Sequence, residues 1–179
     1  MFSFPDDYEQ SWTLRNEIRK DGIGLHTGLK CRVIIKPTEL AGFHFSFSEE
    51  SKKLFSIDIS QVRNTPLCTT LDIEGKKIST VEHLLAALIG VGLTHAHIEI
   101  TGSEIPLLDG SAMGWIDEIK KVGMINSTTS SKPRPELTSP IFVNQGESII
   151  FAIPSKMLKL IGLIDFPYKA IGQQMFSIE

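Results

Sequence analysis

Polar and apolar residues alternate from Trp12 to Ile18, through Leu14, which predicts a half-buried strand. A glycine-rich turn follows, Gly22-Ile23-Gly24-Leu25-His26-Thr27-Gly28. Cys31, Val33 and Ile35 then mark a strand ending before Pro37, and Phe43 to Phe47 alternates cleanly. Leu54 to Ile59 and Leu67 to Ile73 are further strand candidates. So many short strands joined by turns predict a hairpin-rich, largely antiparallel sheet. The period then changes. Val81, Leu84, Leu85 and Leu88 fall at i, i+3, i+4 and i+7, the apolar stripe of a short helix that Gly90 and Gly92 stop. His95 to Ile100 returns to period two, and a second helix runs from about Ala112 to Val122 with Trp115, Ile116, Ile119 and Val122 inward and Gly123 as its stop. The expected fold is α+β, a two-layer sheet with both helices on one face.

Residues 126–136 are polar, carry two prolines and lack periodicity, as a linker does. Beyond it, Pro140 to Val143, Ser148 to Ile153, Leu158 to Phe166 and Met175 to Ile178 read as strands without a helix. A sheet of about 40 residues with nothing over its face buries no useful core. The expected division is therefore a first domain over 1–125, a linker over 126–136, and the opening strands of a second, similar domain, incomplete, over 137–179.

Composition narrows the class. At 179 residues, 41% hydrophobic and 22% charged, the chain has an ordinary globular make-up. A net charge of −3 gives no electrostatic case for a nucleic-acid partner. Cys31 and Cys68 have neither metal-ligand spacing nor a disulfide framework, which fits a reduced, cytoplasmic compartment. The opening Met1-Phe2-Ser3-Phe4-Pro5-Asp6-Asp7 lacks the pattern of a signal peptide, and no apolar run is long enough for an integral membrane segment.

The candidate chemistry centres on Glu82 and His83 at the start of the first helix. A carboxylate beside an imidazole can serve a metal hydrolase, one as base and one as ligand. On a helical wheel they lie roughly 110° and 150° from the apolar stripe, facing away from the sheet. The bland alternatives are a capping box, Ser79-x-x-Glu82, and a solvated histidine. Other candidates are weaker. Gly22-x-Gly24-x-x-x-Gly28 misses the dinucleotide spacing, and a hairpin needing positive φ explains its glycines, leaving Leu25 and His26 at the tip as ligand contacts. His95, His97 and Glu99 share one face of a strand, either as a metal site or as the polar outer face of a half-buried strand, the second being favoured. Asp109, before Gly110-Ser111, caps or turns into the second helix.

Four ordered motifs go further: Gly22 to Gly28, Leu67-Cys68-Thr69-Thr70, Ile78-Ser79-Thr80-Val81-Glu82-His83-Leu84, and Glu104-Ile105-Pro106-Leu107-Leu108-Asp109-Gly110-Ser111-Ala112. With Ile164-Asp165-Phe166 and Ala170-Ile171-Gly172, they make the chain resemble the N-terminal part of the UDP-3-O-acyl-N-acetylglucosamine deacetylase family, zinc enzymes of lipid A biosynthesis. The resemblance implies two similar domains packed helix layer to helix layer around the site. It implies Glu82 as general base, His83 as one zinc ligand, and Leu25, His26, Leu67 and Cys68 near the acyl and sugar groups of a UDP-acyl-sugar substrate. The family's other zinc ligands, a His and an Asp on a His-x-x-x-Asp helix of the second domain, have no counterpart in this sequence. Ile153-Pro154 stands where the family often has Lys-Pro, and Pro167-Tyr168-Lys169 where it often has Asn-His-Pro, so nucleotide contacts there are not implied. Two functional expectations follow. The favoured one is the N-terminal part of a zinc-dependent deacetylase, inactive alone; the other is a non-catalytic acyl-sugar binding or protein-association module of the same descent.

Overall fold

Arg15 breaks the first expected strand in two. In the computed structural model, which describes residues 5, 10–47, 53–63, 67–130 and 136–179, the chain bends at Arg15 and Asn16, just after Arg15 N–H donates to Gly123 O at 2.9 Å, one step beyond the Leu14–Met124 pair. Most of the stretch inspected for a leader, and 131–135 of the expected linker, lie outside the described residues. Trp12–Leu14 (β1) therefore pairs with Met124–Asn126, and Ile18–Ile23 (β2) pairs with Lys30–Lys36 (β3).

The chain divides into two compact units, Met1–Lys132 and Pro133–Glu179. In the first, Gly42–Phe47 (β4) and Phe55–Ser56 (β5) precede a 3-10 turn, Ile59–Gln61, then Val62–Arg63 (β6), Thr70–Ile73 (β7) and Lys76–Ser79 (β8). Helix Glu82–Gly90 (α1), His95–Thr101 (β9), helix Met113–Val122 (α2) and Met124–Asn126 (β10) complete it. Two strand expectations shorten. The 54–59 strand is only Phe55–Ser56, because Asp58 accepts from Ser60 N–H at 2.8 Å and starts the 3-10 turn. The 67–73 strand begins at Thr70.

The main sheet has five strands in the order β2-β3-β9-β4-β5, antiparallel except that β4 runs parallel to β9. Register sets Ile35 and Phe45 on either side of Ile98, so Val33, Ile35, Phe45, Ile98 and Ile100 present one apolar face. Leu84 and Leu88 of α1 and Trp115 and Ile119 of α2 enter the same core, all 0% exposed. The fold is α+β. As expected, α2 stops at Gly123, whose φ of 77° suits glycine.

The opposite face of β9 corrects the sequence reading. His95 and Glu99 are 0% and 3% exposed, so this is no outward polar face. His95 Nδ1 accepts from Gly42 N–H at 3.4 Å and its Nε2 lies 2.9 Å from Thr129 O. Lys36 Nζ reaches Glu99 Oε2 at 2.7 Å, and Ser46 Oγ lies 2.7 Å from His97 Nε2. Burial, then Lys36, holds the His97 imidazole below its ordinary pKa. Buried polar groups with partners of this kind belong to the architecture. Asn126 closes β10, and beyond it Ser127 and Thr128 hydroxyls both donate to Glu39 Oε2 at 2.8 Å.

The second unit consists of two hairpins, Ile141–Gln145 (β11) with Ser148–Ala152 (β12) and Leu160–Asp165 (β13) with Gln173–Ile178 (β14). Every residue of these strands is exposed. No helix among the described residues is long and apolar enough to cross a membrane.

Candidate active site

The site is assembled where β8 turns into α1. Ser79 does not cap the helix. It belongs to β8, and its hydroxyl lies 2.9 Å from Thr70 Oγ1 across the β7–β8 hairpin. The helix starts after Val81, which offers no side-chain cap, and this places Glu82 in the first helical position, not the third. The capping-box reading is thereby overturned. The Glu82 carboxylate instead takes Thr69 N–H on Oε2 at 3.0 Å. Both Glu82 and His83 are half-buried.

Thr80 makes the turn between strand and helix. Its φ is 61°, a left-handed conformation that a β-branched residue adopts only under constraint. The constraint is visible: Thr80 is 2% exposed and its hydroxyl donates to Glu104 Oε1 at 2.8 Å. Glu104, 1% exposed, also accepts from His26 N–H at 3.0 Å, Thr27 N–H at 2.9 Å and Thr27 Oγ1 at 2.7 Å. Burial opposes its charge, but these bonds from His26, Thr27 and Thr80 outweigh burial and hold the carboxyl at about 2. The backbone on either side of Glu104 is stitched to Ser79, with Ser79 N–H on Ser103 O and Ile105 N–H on Ser79 O, each at 3.0 Å.

The glycine loop closes on the same carboxylate. A Cβ on Gly24 would lie 2.2 Å from Glu104 Oε2, and one on Gly22 would lie 2.7 Å from Pro106 Cβ. Close approach is what these two positions require; only Gly28, with φ 65°, fits the positive-φ expectation. Beyond Pro106, Asp109 Oδ1 accepts from Ser111 N–H at 3.1 Å and from the Ser111 hydroxyl at 3.0 Å, and Ser111 Oγ accepts from Met113 N–H at 3.0 Å. Asp109 thus turns the chain toward α2 without capping it directly. Its carboxyl is held low by the Ser111 bonds first, with a smaller contribution from the charge of His83.

All four motifs therefore meet. Glu104 gathers the glycine loop and the start of α1, Thr69 brings the Leu67–Thr70 segment to Glu82, and Asp109 lies within electrostatic reach of His83. Leu25 and Leu67 are 56% and 80% exposed, His26 is exposed with its N–H engaged by Glu104, and Cys68 is half-buried. Cys31 and Cys68 are free thiols. An open groove of about 670 Å³ lies along the β2–β3 hairpin between Asp21–Ile23 and Lys30–Arg32, and neither Glu82 nor His83 lines it. Reading the sequence missed the roles of Glu104 and Thr80, since neither a lone glutamate after a glycine-serine pair nor a threonine before a helix signals burial.

A catalytic zinc takes three protein ligands and keeps one open position. Among the described residues no three His, Cys, Asp or Glu side chains come together to hold a metal.

Comparison with known proteins matches residues 11–179 to the family model described as UDP-3-O-acyl N-acetylglycosamine deacetylase. Among curated proteins, the UDP-3-O-acyl-N-acetylglucosamine deacetylase of Thermosynechococcus vestitus is 38% identical over 92% of this chain and 58% of its own length. Those of Trichormus variabilis and Citrifermentans bemidjiense are 36% and 37% identical, over 92% and 93% of this chain and 60% and 55% of their own lengths. The chain thus spans a little over half the length of these relatives.

Proposed function

Because this chain belongs to the UDP-3-O-acyl N-acetylglycosamine deacetylase family, we propose that it carries part of a zinc-dependent site that hydrolyses the acetamide of UDP-3-O-acyl-N-acetylglucosamine in lipid A biosynthesis, in the cytoplasm. The observation that carries the reading is the setting of Glu82: Thr69 N–H holds Oε2 at the first turn of α1, beside His83. In this reading Oε1 is the working oxygen. It accepts a proton from the attacking water and returns it to the amine leaving group. His83 presents one ring nitrogen as a ligand, and the remaining ligands come from the part of the family protein that this chain does not span. Zinc, when bound, polarises the acetamide carbonyl and acidifies the water. Leu25 and Leu67 offer exposed apolar surface to the substrate, with His26 and Cys68 beside them at its acyl and sugar groups. Residues 137–179 are read as the opening strands of a second, similar domain.

The reading is tested by joining this chain to the portion of the Thermosynechococcus vestitus protein that it does not span. The hybrid is expected to bind zinc and release acetate from UDP-3-O-acyl-N-acetylglucosamine. A folded, zinc-loaded hybrid that releases none contradicts the reading and favours a non-catalytic acyl-sugar binding or protein-association module.

A further inference from the structure

We propose that Glu104 is a positioning residue, which aims Glu82 and His83 by locking the turn that precedes them. The significance of that aim rests on the function proposed above; the aim itself is a matter of geometry. Three observations carry it. Thr80, a β-branched residue, sits at φ 61°, a conformation that persists only where its surroundings over-determine it. Its hydroxyl is anchored on Glu104 Oε1 at 2.8 Å, with both residues buried. The next residue, Val81, is 0% exposed, and Glu82 and His83 follow it directly into α1. Released from Glu104, Thr80 gains access to ordinary negative φ, and rotation there swings the first turn of the helix. The oxygens of Glu104 are otherwise committed to His26 and Thr27 of the glycine loop. The side chain that sets the direction of the base therefore also sets the loop expected to meet the substrate. It acts without touching the reacting atoms.

Thr69 N–H reports the outcome, because it donates to Glu82 Oε2 at 3.0 Å and lies outside the bonds of Glu104. In amide ¹H–¹⁵N spectra of the 179-residue chain, Glu82→Gln calibrates the Thr69 shift that follows loss of the carboxylate. Glu104→Gln and Thr80→Val are each expected to move Thr69 upfield by several line widths, toward the calibrated position. Thr80→Ser keeps the hydroxyl and is expected to leave Thr69 where it is. Thr80→Val preserves the Glu104 charge, so a shift there is not a through-space field effect. Should Glu104→Gln fail to fold, Thr80→Val decides alone. A folded Thr80→Val chain with Thr69 unmoved overturns the proposal and leaves Glu104 as a structural clamp. The readout needs neither zinc nor substrate, so a loss of the deacetylase reading would leave this result standing, and the reverse.

Discussion

Thr80 Oγ1 and Glu104 Oε1 are 2.8 Å apart, and through that bond a residue of left-handed backbone is tied to a carboxylate 24 positions later. The bond joins the end of β8 to the segment after β9 and fixes where α1 begins. The Glu82–His83 pair inherits its position from this junction.

The carboxylate makes stability depend on acid. Glu104 is held at about 2, below the usual glutamate value near 4.5. A depressed folded-state pKa contributes stability that is present above the unfolded value and is lost as pH falls through the folded one. The window is therefore about pH 4.5 down to 2, and the contribution is at most on the order of 3 kcal/mol. Urea unfolding at pH 5 and pH 2.5 measures it. Glu104→Gln is expected to flatten the dependence in that window; an unchanged slope would show that the carboxylate is not held as described.

Two glycines of one loop are expected to respond differently. Gly24→Ala places a methyl 2.2 Å from Glu104 Oε2 and 2.5 Å from Thr27 Oγ1, so the clamp must open, at a cost of about 1–3 kcal/mol. Gly28→Ala meets open space and has only its φ of 65° against it, for about 1 kcal/mol. Chemical denaturation of the two variants compares them. Equal costs would mean that close packing on Glu104 is not what Gly24 serves.

Much of this was legible in the sequence. The stripe of Val81, Leu84 and Leu88 and the run Trp115, Ile119, Gly123 found both helices because a local period records a local structure. Alternation found β3, β4 and β9 for the same reason. What stayed hidden depends on partners far along the chain. Trp12–Leu14 pairs with Met124–Asn126 while Ile18–Ile23 pairs with Lys30–Lys36, and the burial of Glu104 is matched by N–H groups of His26 and Thr27, 78 and 77 positions away. The capping-box pattern misled because Thr70, across a hairpin, takes the Ser79 hydroxyl. His95 and Glu99 have the alternation of an outward face, yet Thr129 and Lys36 partner them in the buried setting. Periodicity carries no record of such pairings.

The hairpins of residues 137–179 are expected to exchange amide protons faster than β3 and β9. Phe142, Ile150 and Phe176 are 65%, 72% and 73% exposed, and strands without a buried face open at low cost. Hydrogen exchange on the monomeric chain checks this. Protection from Ile141 to Ile178 equal to that of β9 would show that these strands are stabilised in solution by burial not seen in this structure.

Zinc is expected to stay sub-stoichiometric after dialysis of the 179-residue chain, because no three His, Cys, Asp or Glu side chains come together among the described residues and a stable site needs three or four ligands. Metal analysis together with a molecular mass tests this, since a dimer can pool ligands. One firmly held zinc per monomer would contradict it.

The most direct measurement compares Glu82→Gln with His83→Ala in the hybrid that completes the family length, reading turnover and bound zinc on the same samples. Glu82→Gln keeps the size of the side chain and removes its basic carboxylate, so turnover should fall by roughly two to four orders of magnitude while zinc stays bound. His83→Ala removes a ligand, so zinc and activity should disappear together. Near-normal turnover in Glu82→Gln, or full zinc occupancy in His83→Ala, would contradict the assignment of base and ligand.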